Sequence, residues 1–261
     1  MKWYFVVLFL IMFALIVGSY FLFRDQVEDR SNIRFLSKQD LAQVLIDNKD
    51  RYYDSFHQND LKARHIQSIE EYHPIIQKSS CQGTRALKDR IVQAISSIES
   101  KLSKKGDTTV HGIHLPSLLS SPWTIGFVCD KKYEYGYPHT RYNVIVLQVA
   151  DCLKRSDKQL AQLLLHEKTH VYQKTHVNEM DDYLRNQGFK IIKQKQQKDI
   201  YYPANPDIDE NLYEHLATKF KYYAKYRKQP NGGQDIVYPD NQSKNEHPLE
   251  EIAYKMEALL S

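Results

Sequence analysis

The sequence is poor in the residues that would take it away from an ordinary folded chain. Nine glycines and nine prolines in 261 residues exclude collagen-like and Pro/Gly-rich low-complexity chains. Three cysteines, Cys81, Cys129 and Cys152, are too few for a disulfide framework, and none has a CxxC or other metal-type spacing. One bridge with a free thiol and three free thiols are both compatible with that count. A net charge of only +4 gives no electrostatic footprint for nucleic acid, so none is expected as a partner. No internal repeat is present, and a single long apolar run excludes a multi-pass transporter.

That run, residues 3–23, contains no charge. As a helix it reaches about 30 Å, the thickness of a bilayer core. It is longer than the apolar core of a cleaved signal peptide, and Val17 and Ser19 form a poor cleavage site. The sequence therefore predicts an N-terminal transmembrane anchor at 1–23 and a single-pass membrane protein. Basic residues on both flanks, acids at 25, 28 and 29, and a sequon at 241–243 leave the side of the body open.

A polar stalk is expected at 24–36 and a helical region at 37–105. Leu36-Ser37-Lys38-Gln39-Asp40-Leu41 has the form of a capped helix start. A second helix is expected after Asn59, ending at Pro74, and a third carries the stripe Leu87, Ile91, Ala94, Ile95, Ile98 and Leu102. From 106 to 261 the pattern changes to a small mixed sheet followed by helices. Strands are expected within 107–116, 123–130 and 141–149, and the alternation Phe220, Tyr222, Ala224, Tyr226 reads as a hairpin. The fold class expected is α+β, headed by the transmembrane helix.

Ser156-Asp157-Lys158-Gln159 is a capping box, and the helix it opens contains His166-Glu167-Lys168-Thr169-His170. This is HExxH. Residues four apart on a helix lie about 40° apart in projection and one turn apart, so two imidazoles reach one metal ion. The intervening Glu167 is placed to take a proton from water. Composition alone would produce about 0.02 such matches in a chain like this one. The bland alternative is a helix with two histidines and a glutamate on a solvated face.

The HEKTH helix, preceded by a strand, resembles the active-site helix of the zincin metallopeptidases, over residues 107–261 at most. The segments Tyr137-Pro138-His139-Thr140-Arg141 and His247-Pro248-Leu249-Glu250 also resemble uncharacterised HExxH proteins of large DNA viruses. The zincin resemblance implies Zn²⁺ and a third protein ligand. His176 completes HExxHxxQxxH, similar to the metzincin pattern except that Gln173 stands where that family has glycine. The gluzincin pattern, a later helical glutamate with alanine three residues on, fits Glu214 with Ala217 and Glu250 with Ala253. Glu250 is the preferred ligand, in the first turn of a helix opened by Pro248, and Glu251 is its nearest rival.

The expected metal set is thus His166, His170 and Glu250, with Glu167 as general base. A donor for the oxyanion is sought among His139, Arg141 and Tyr254, with His139 preferred as the residue before a strand. That strand is expected to offer its edge to an extended peptide. The function expected is a membrane-anchored zinc metallopeptidase acting on a peptide or protein substrate. The competing expectation is a catalytically inactive, membrane-tethered structural or attachment protein, such as an envelope component.

Overall fold

The computed structural model describes residues 32–195, 201–238 and 245–261. Strand β1 (Ile33–Phe35) leads into α1 (Lys38–Asp47), α2 (Gln58–Ala63), α3 (Ile69–Ser79), β2 (Ser80–Cys81) and α4 (Arg85–Ser103). The hairpin β3 (Thr109–Val110) and β4 (Ile113–His114) precedes α5 (Leu115–Ser120), β5 (Trp123–Val128), β6 (His139–Arg141), β7 (Val144–Gln148) and α6 (Val149–Lys154). Then come α7 (Asp157–Thr175), α8 (Val177–Asn186), β8 (Phe189–Gln194), β9 (Asn211–His215), β10 (Lys221–Tyr222), β11 (Lys225–Tyr226), β12 (Ile236–Val237) and α9 (Pro248–Glu257).

Local chemistry sets several boundaries. Ser37 caps α1 by accepting from the Asp40 N–H, and Ser156 and Gln159 close a reciprocal box on α7. His247 caps α9, whose first residue is Pro248. Pro74 does not end a helix as expected but lies inside α3. It and Glu70 are both exposed, so water can satisfy the carbonyl that a helical proline leaves unpaired.

The main sheet runs β1-β5-β7-β6, with β1, β5 and β7 parallel and β6 antiparallel at the edge. β2 pairs antiparallel with the end of β5 that β1 does not reach. Side chains alternate along β7. Ile145 and Leu147 enter one core with α4 and α7, while Val144 and Val146 enter a second with α1 and α3. Gly126 in β5 permits the close approach of α1, because a Cβ there would lie 2.4 Å from Leu41 Cδ1. Helices therefore cover both faces of the sheet, and residues 37–105 share both cores with the later chain.

The structure corrects several expectations. Ile33–Phe35, read as part of a polar stalk, is a strand of the main sheet. The alternation at 220–226 is not one hairpin, since β10 pairs with β9 and β11 with β12. The architecture is mixed α/β, not an α+β fold headed by a membrane-crossing helix. Among the described residues no helix is long and apolar enough to cross a membrane, against the single-pass anchor and the localisation drawn from it. The run at 3–23 and the sequon at 241–243 lie outside the described residues.

Cys81 and Cys129 form a disulfide spanning 48 residues, and Cys152 is a buried free thiol. The bridge ties β2 to the residue after β5 and closes the loop that contains α4. A loop of that length implies a stabilisation of about 4 kcal/mol through the unfolded chain. The double variant Cys81→Ser/Cys129→Ser should lose about that much in urea denaturation, and a loss below about 1 kcal/mol would contradict this account.

Candidate metal centre

Helix α7 runs between the sheet and helices α4 and α9, so it is buried all round from Leu163 to Gln173. His166, Glu167 and His170 are only 8%, 2% and 0% exposed, which rules out the reading of HExxH as a solvated face. Helix α9 packs across α7 with Ala253 fully buried, the small residue that close approach requires. Its first turn brings Glu250 to the histidines.

Among the described residues, His166, His170 and Glu250 are the one group of three that could hold a metal ion, with ligand atoms all within 4.8 Å of one another. The two histidine Nε2 atoms are 3.1 Å apart. Glu250 Oε2 lies 3.5 Å from His166 Nε2, and Oε1 lies 3.6 Å from His170 Nε2. A tetrahedral ion with bonds of about 2.0–2.1 Å keeps its ligand atoms about 3.3 Å apart, so the spacing suits Zn²⁺.

The far side of each ring is also engaged. His166 Nδ1 lies 2.7 Å from Glu257 Oε1, two turns beyond Glu250 on α9. His170 Nδ1 lies 2.8 Å from Gln173 Oε1, whose Nε2 donates to the Leu249 carbonyl at 3.0 Å. His170 Nδ1 thus gives its proton to Gln173, and the two Nε2 atoms face one point where a proton or a cation can sit between them. Electrostatics agree. Burial opposes charge on His166, but hydrogen bonds to Glu250 and Glu257 push it up to about 11. Burial would raise Glu250, yet His170 and His166 hold its carboxyl well below the usual carboxylate range.

Glu167 projects from α7 toward β6, where its Oε2 accepts from Thr140 Oγ1 at 3.1 Å. Burial, aided by the charge of Asp207, pushes its carboxyl up to about 7. A carboxyl in that range can take and return a proton near neutral pH.

The rival ligands go elsewhere. α7 continues to Thr175, and His176 caps it with its ring stacked 3.9 Å from that of Tyr172. Glu214 lies in β9, and Glu251 accepts from the Tyr222 hydroxyl at 2.8 Å. Of the donor candidates, Arg141 is committed to Asp50 through Nε and Nη2 at 2.7 and 2.8 Å, and to the Tyr53 and Tyr133 hydroxyls. Tyr254 remains available: its ring lies 4.8 Å from that of His166, and burial pushes its hydroxyl up to about 12.

His139 lies within β6, not before the strand at 141–149, which is β7. Its Nδ1 is 2.8 Å from the Tyr137 carbonyl, an acceptor, so that nitrogen carries the proton. Burial keeps the ring's pKa below its ordinary value, and Nε2 is left as a lone pair without a partner.

The expected open edge is also altered. In the antiparallel alternation of β6 against β7, Thr140 turns its main-chain groups outward. Its N–H donates to Asp207 Oδ1 at 2.6 Å, and its carbonyl accepts from Lys174 Nζ at 2.5 Å. A peptide adding to β6 at this point would have to displace both.

His166, Glu167, Glu250, Tyr254 and His139 line one cavity of about 530 Å³. Its far wall includes Glu134 and Tyr135, whose φ angles of 44° and 57° lie in the left-handed region. Glu134 is held by Arg64 through Nε at 3.0 Å and Nη2 at 2.7 Å, and by the Tyr72 hydroxyl at 3.0 Å.

Sequence reasoning missed Gln173, Glu257, Asp207 and Tyr135. Gln173 and Glu257 had a signal, lying one turn past His170 and two turns past Glu250 on their helices. Asp207 and Tyr135 come from irregular chain and had none. No family model, no curated protein and no solved structure matches this chain.

Replacing Arg64 with Met should strand a buried carboxylate at Glu134 and cost about 3–5 kcal/mol in denaturant unfolding. A cost under about 1 kcal/mol would mean that the pair does not hold this wall.

Proposed function

We propose that the protein is a zinc-dependent metallopeptidase of the zincin type. The observation that carries the proposal is the convergence of the two HExxH imidazoles with Glu250, from a helix 80 residues later in the chain, beside a buried glutamate and an adjoining cavity. His166, His170 and Glu250 would hold the ion, with Glu257 and Gln173 orienting the rings. When bound, Zn²⁺ polarises a carbonyl and makes water more acidic. Glu167 accepts the proton of the attacking water and delivers it to the leaving nitrogen. The Thr140 hydroxyl aims the Glu167 carboxylate. Tyr254, a protonated donor next to His166, suits the developing oxyanion better than His139, whose second nitrogen is buried and carries a lone pair.

One observation favours a second reading, a peptidase-like protein that binds without cutting: Asp207 and Lys174 occupy the outward groups of β6. The two readings part in activity, not in metal content.

Purified full-length chain should contain one zinc per molecule, and His166→Ala, His170→Ala and Glu250→Ala should each lose it, whereas His176→Ala should retain it. Zinc at a hundred times its Kd should stabilise the parent by about 2.7 kcal/mol in thermal unfolding. Glu167→Ala should keep the zinc while peptide hydrolysis drops about 10²–10⁴-fold. Equal hydrolysis by this variant and the parent would sink the mechanism, and a parent that holds zinc but cuts no peptide would favour the second reading.

A further inference from the structure

One irregular segment lies between two cavities and touches the edge strand of the metal centre. Asn205, Pro206 and Asp207 line both the 530 Å³ cavity, which reaches His166, Glu167 and Glu250, and a second cavity of about 670 Å³. Gln173 and Lys174 of α7 and Leu249 of α9 line that second cavity, so both abut the two helices that carry the metal set.

The contact of this segment with β6 has the form of a substrate contact. An added strand would offer a carbonyl oxygen to the outward N–H of Thr140. Asp207 Oδ1 stands there instead, at 2.6 Å, with Asp207 only 8% exposed. The Thr140 carbonyl is held by Lys174 Nζ, which lies 3.9 Å from the same carboxylate. Lys174 reaches it on a long flexible stem, whereas the short side chain of Asp207 goes where its backbone goes.

The segment is held in a way that suits a part that opens. No main-chain to main-chain hydrogen bond joins residues 202–207 to another described residue. Pro203 and Pro206 have no N–H to give. The pins are side chains: His57 Nε2 on the Tyr202 carbonyl at 2.8 Å, Lys195 Nζ on the Pro203 carbonyl at 3.3 Å, Asp60 Oδ1 on the Ala204 N–H at 2.9 Å, and Glu246 on the Asn205 amide. Asn205 Oδ1 in turn accepts from the Asp207 N–H at 2.8 Å, which ties the Glu246 pin to the residue on β6. Chain held without a main-chain ladder opens more readily than core strands and helices do.

Building on the peptidase reading, we infer that residues 202–207 are an internal competitive inhibitor, a strap that occupies the Thr140 edge of β6 in place of substrate and divides one cleft into two. Substrate binds by displacing it, and the two cavities then join along β6. The apparent affinity for peptide is reduced by the fraction of molecules in which the strap is open. Anything that holds the strap open therefore lowers KM without altering the metal centre.

The test uses zinc-loaded full-length protein, the double variant Asn205→Ala/Pro206→Gly, and a peptide with one cleavage site mapped from a digest of denatured casein by either. The variant removes the Glu246 pin and a stiffening ring and touches no metal-binding or proton-transferring residue. Hydrogen exchange at the Thr140 amide reports the strap, and KM and kcat report the cleft. Exchange should quicken about tenfold and KM fall about tenfold, with kcat and zinc content held. Should the double variant lose zinc, Asn205→Ala alone makes the same comparison with a factor of about three. Faster exchange with the parent's KM, or with a higher one, overturns the inhibitor role and leaves the peptidase intact. Unchanged exchange overturns it as well, because the strap is then not held by these pins. A silent parent with an active variant supports the strap. Parent and variant that both hold zinc and cleave nothing overturn the peptidase reading and the strap together.

Discussion

Two imidazole nitrogens held 3.1 Å apart on a buried helix are the constraint on which this structure turns. Here each ring is fixed from behind by a carboxylate or an amide, and Glu250 closes the third side. Much of the surrounding fold serves to keep that arrangement dry and immobile. The sheet covers one side of α7, α4 packs alongside it, and α9 crosses at Ala253, with a helix start anchored by the His247 cap and its 3.1 Å contact to Asp209. Gln173 links the two helices directly, so the orientation of His170 and the position of the Glu250 turn are set by a single amide.

The edge strand ties the centre to the rest of the molecule. Thr140 uses its hydroxyl on Glu167 and both main-chain groups on Asp207 and Lys174. One residue thus connects the Glu167 carboxylate, the sheet and the irregular segment around Asp207. That segment is pinned at several other points: the Tyr202 carbonyl meets His57, and the Ala204 N–H reaches Asp60. The wall it makes separates the 530 Å³ cavity from a second of about 670 Å³, and Asn205, Pro206 and Asp207 line both. The helices before the motif therefore take part in shaping the site, because His57 and Asp60 lie in the segment that opens α2.

The legible part of this protein was the part with a period or a cap. Ser37, Ser156 and Pro248 announced three helices, and the four-residue spacing of His166 and His170 placed two nitrogens on one face. Pro74 misled because a proline's effect depends on whether its helix face meets water. Phe220 to Tyr226 misled because alternation defines a strand without naming its partner. His139 was found, but its hydrogen-bonding role depended on the Tyr137 carbonyl, two residues away, and no spacing rule reports which ring nitrogen carries the proton.

By itself the sequence determined the helix, the two histidines and the glutamate between them, since all three follow from the 3.6-residue turn of one segment. It also narrowed the candidates for a third ligand to a few acids and a histidine. Only the tertiary structure shows which of these meets the two histidines, because Glu214, Glu250 and Glu251 are chemically alike and differ in which surface their elements bury. The same holds for the edge strand. Its alternation is written in the chain, but whether its outward groups stay open depends on Asp207, more than sixty residues later, and on how two distant segments pack.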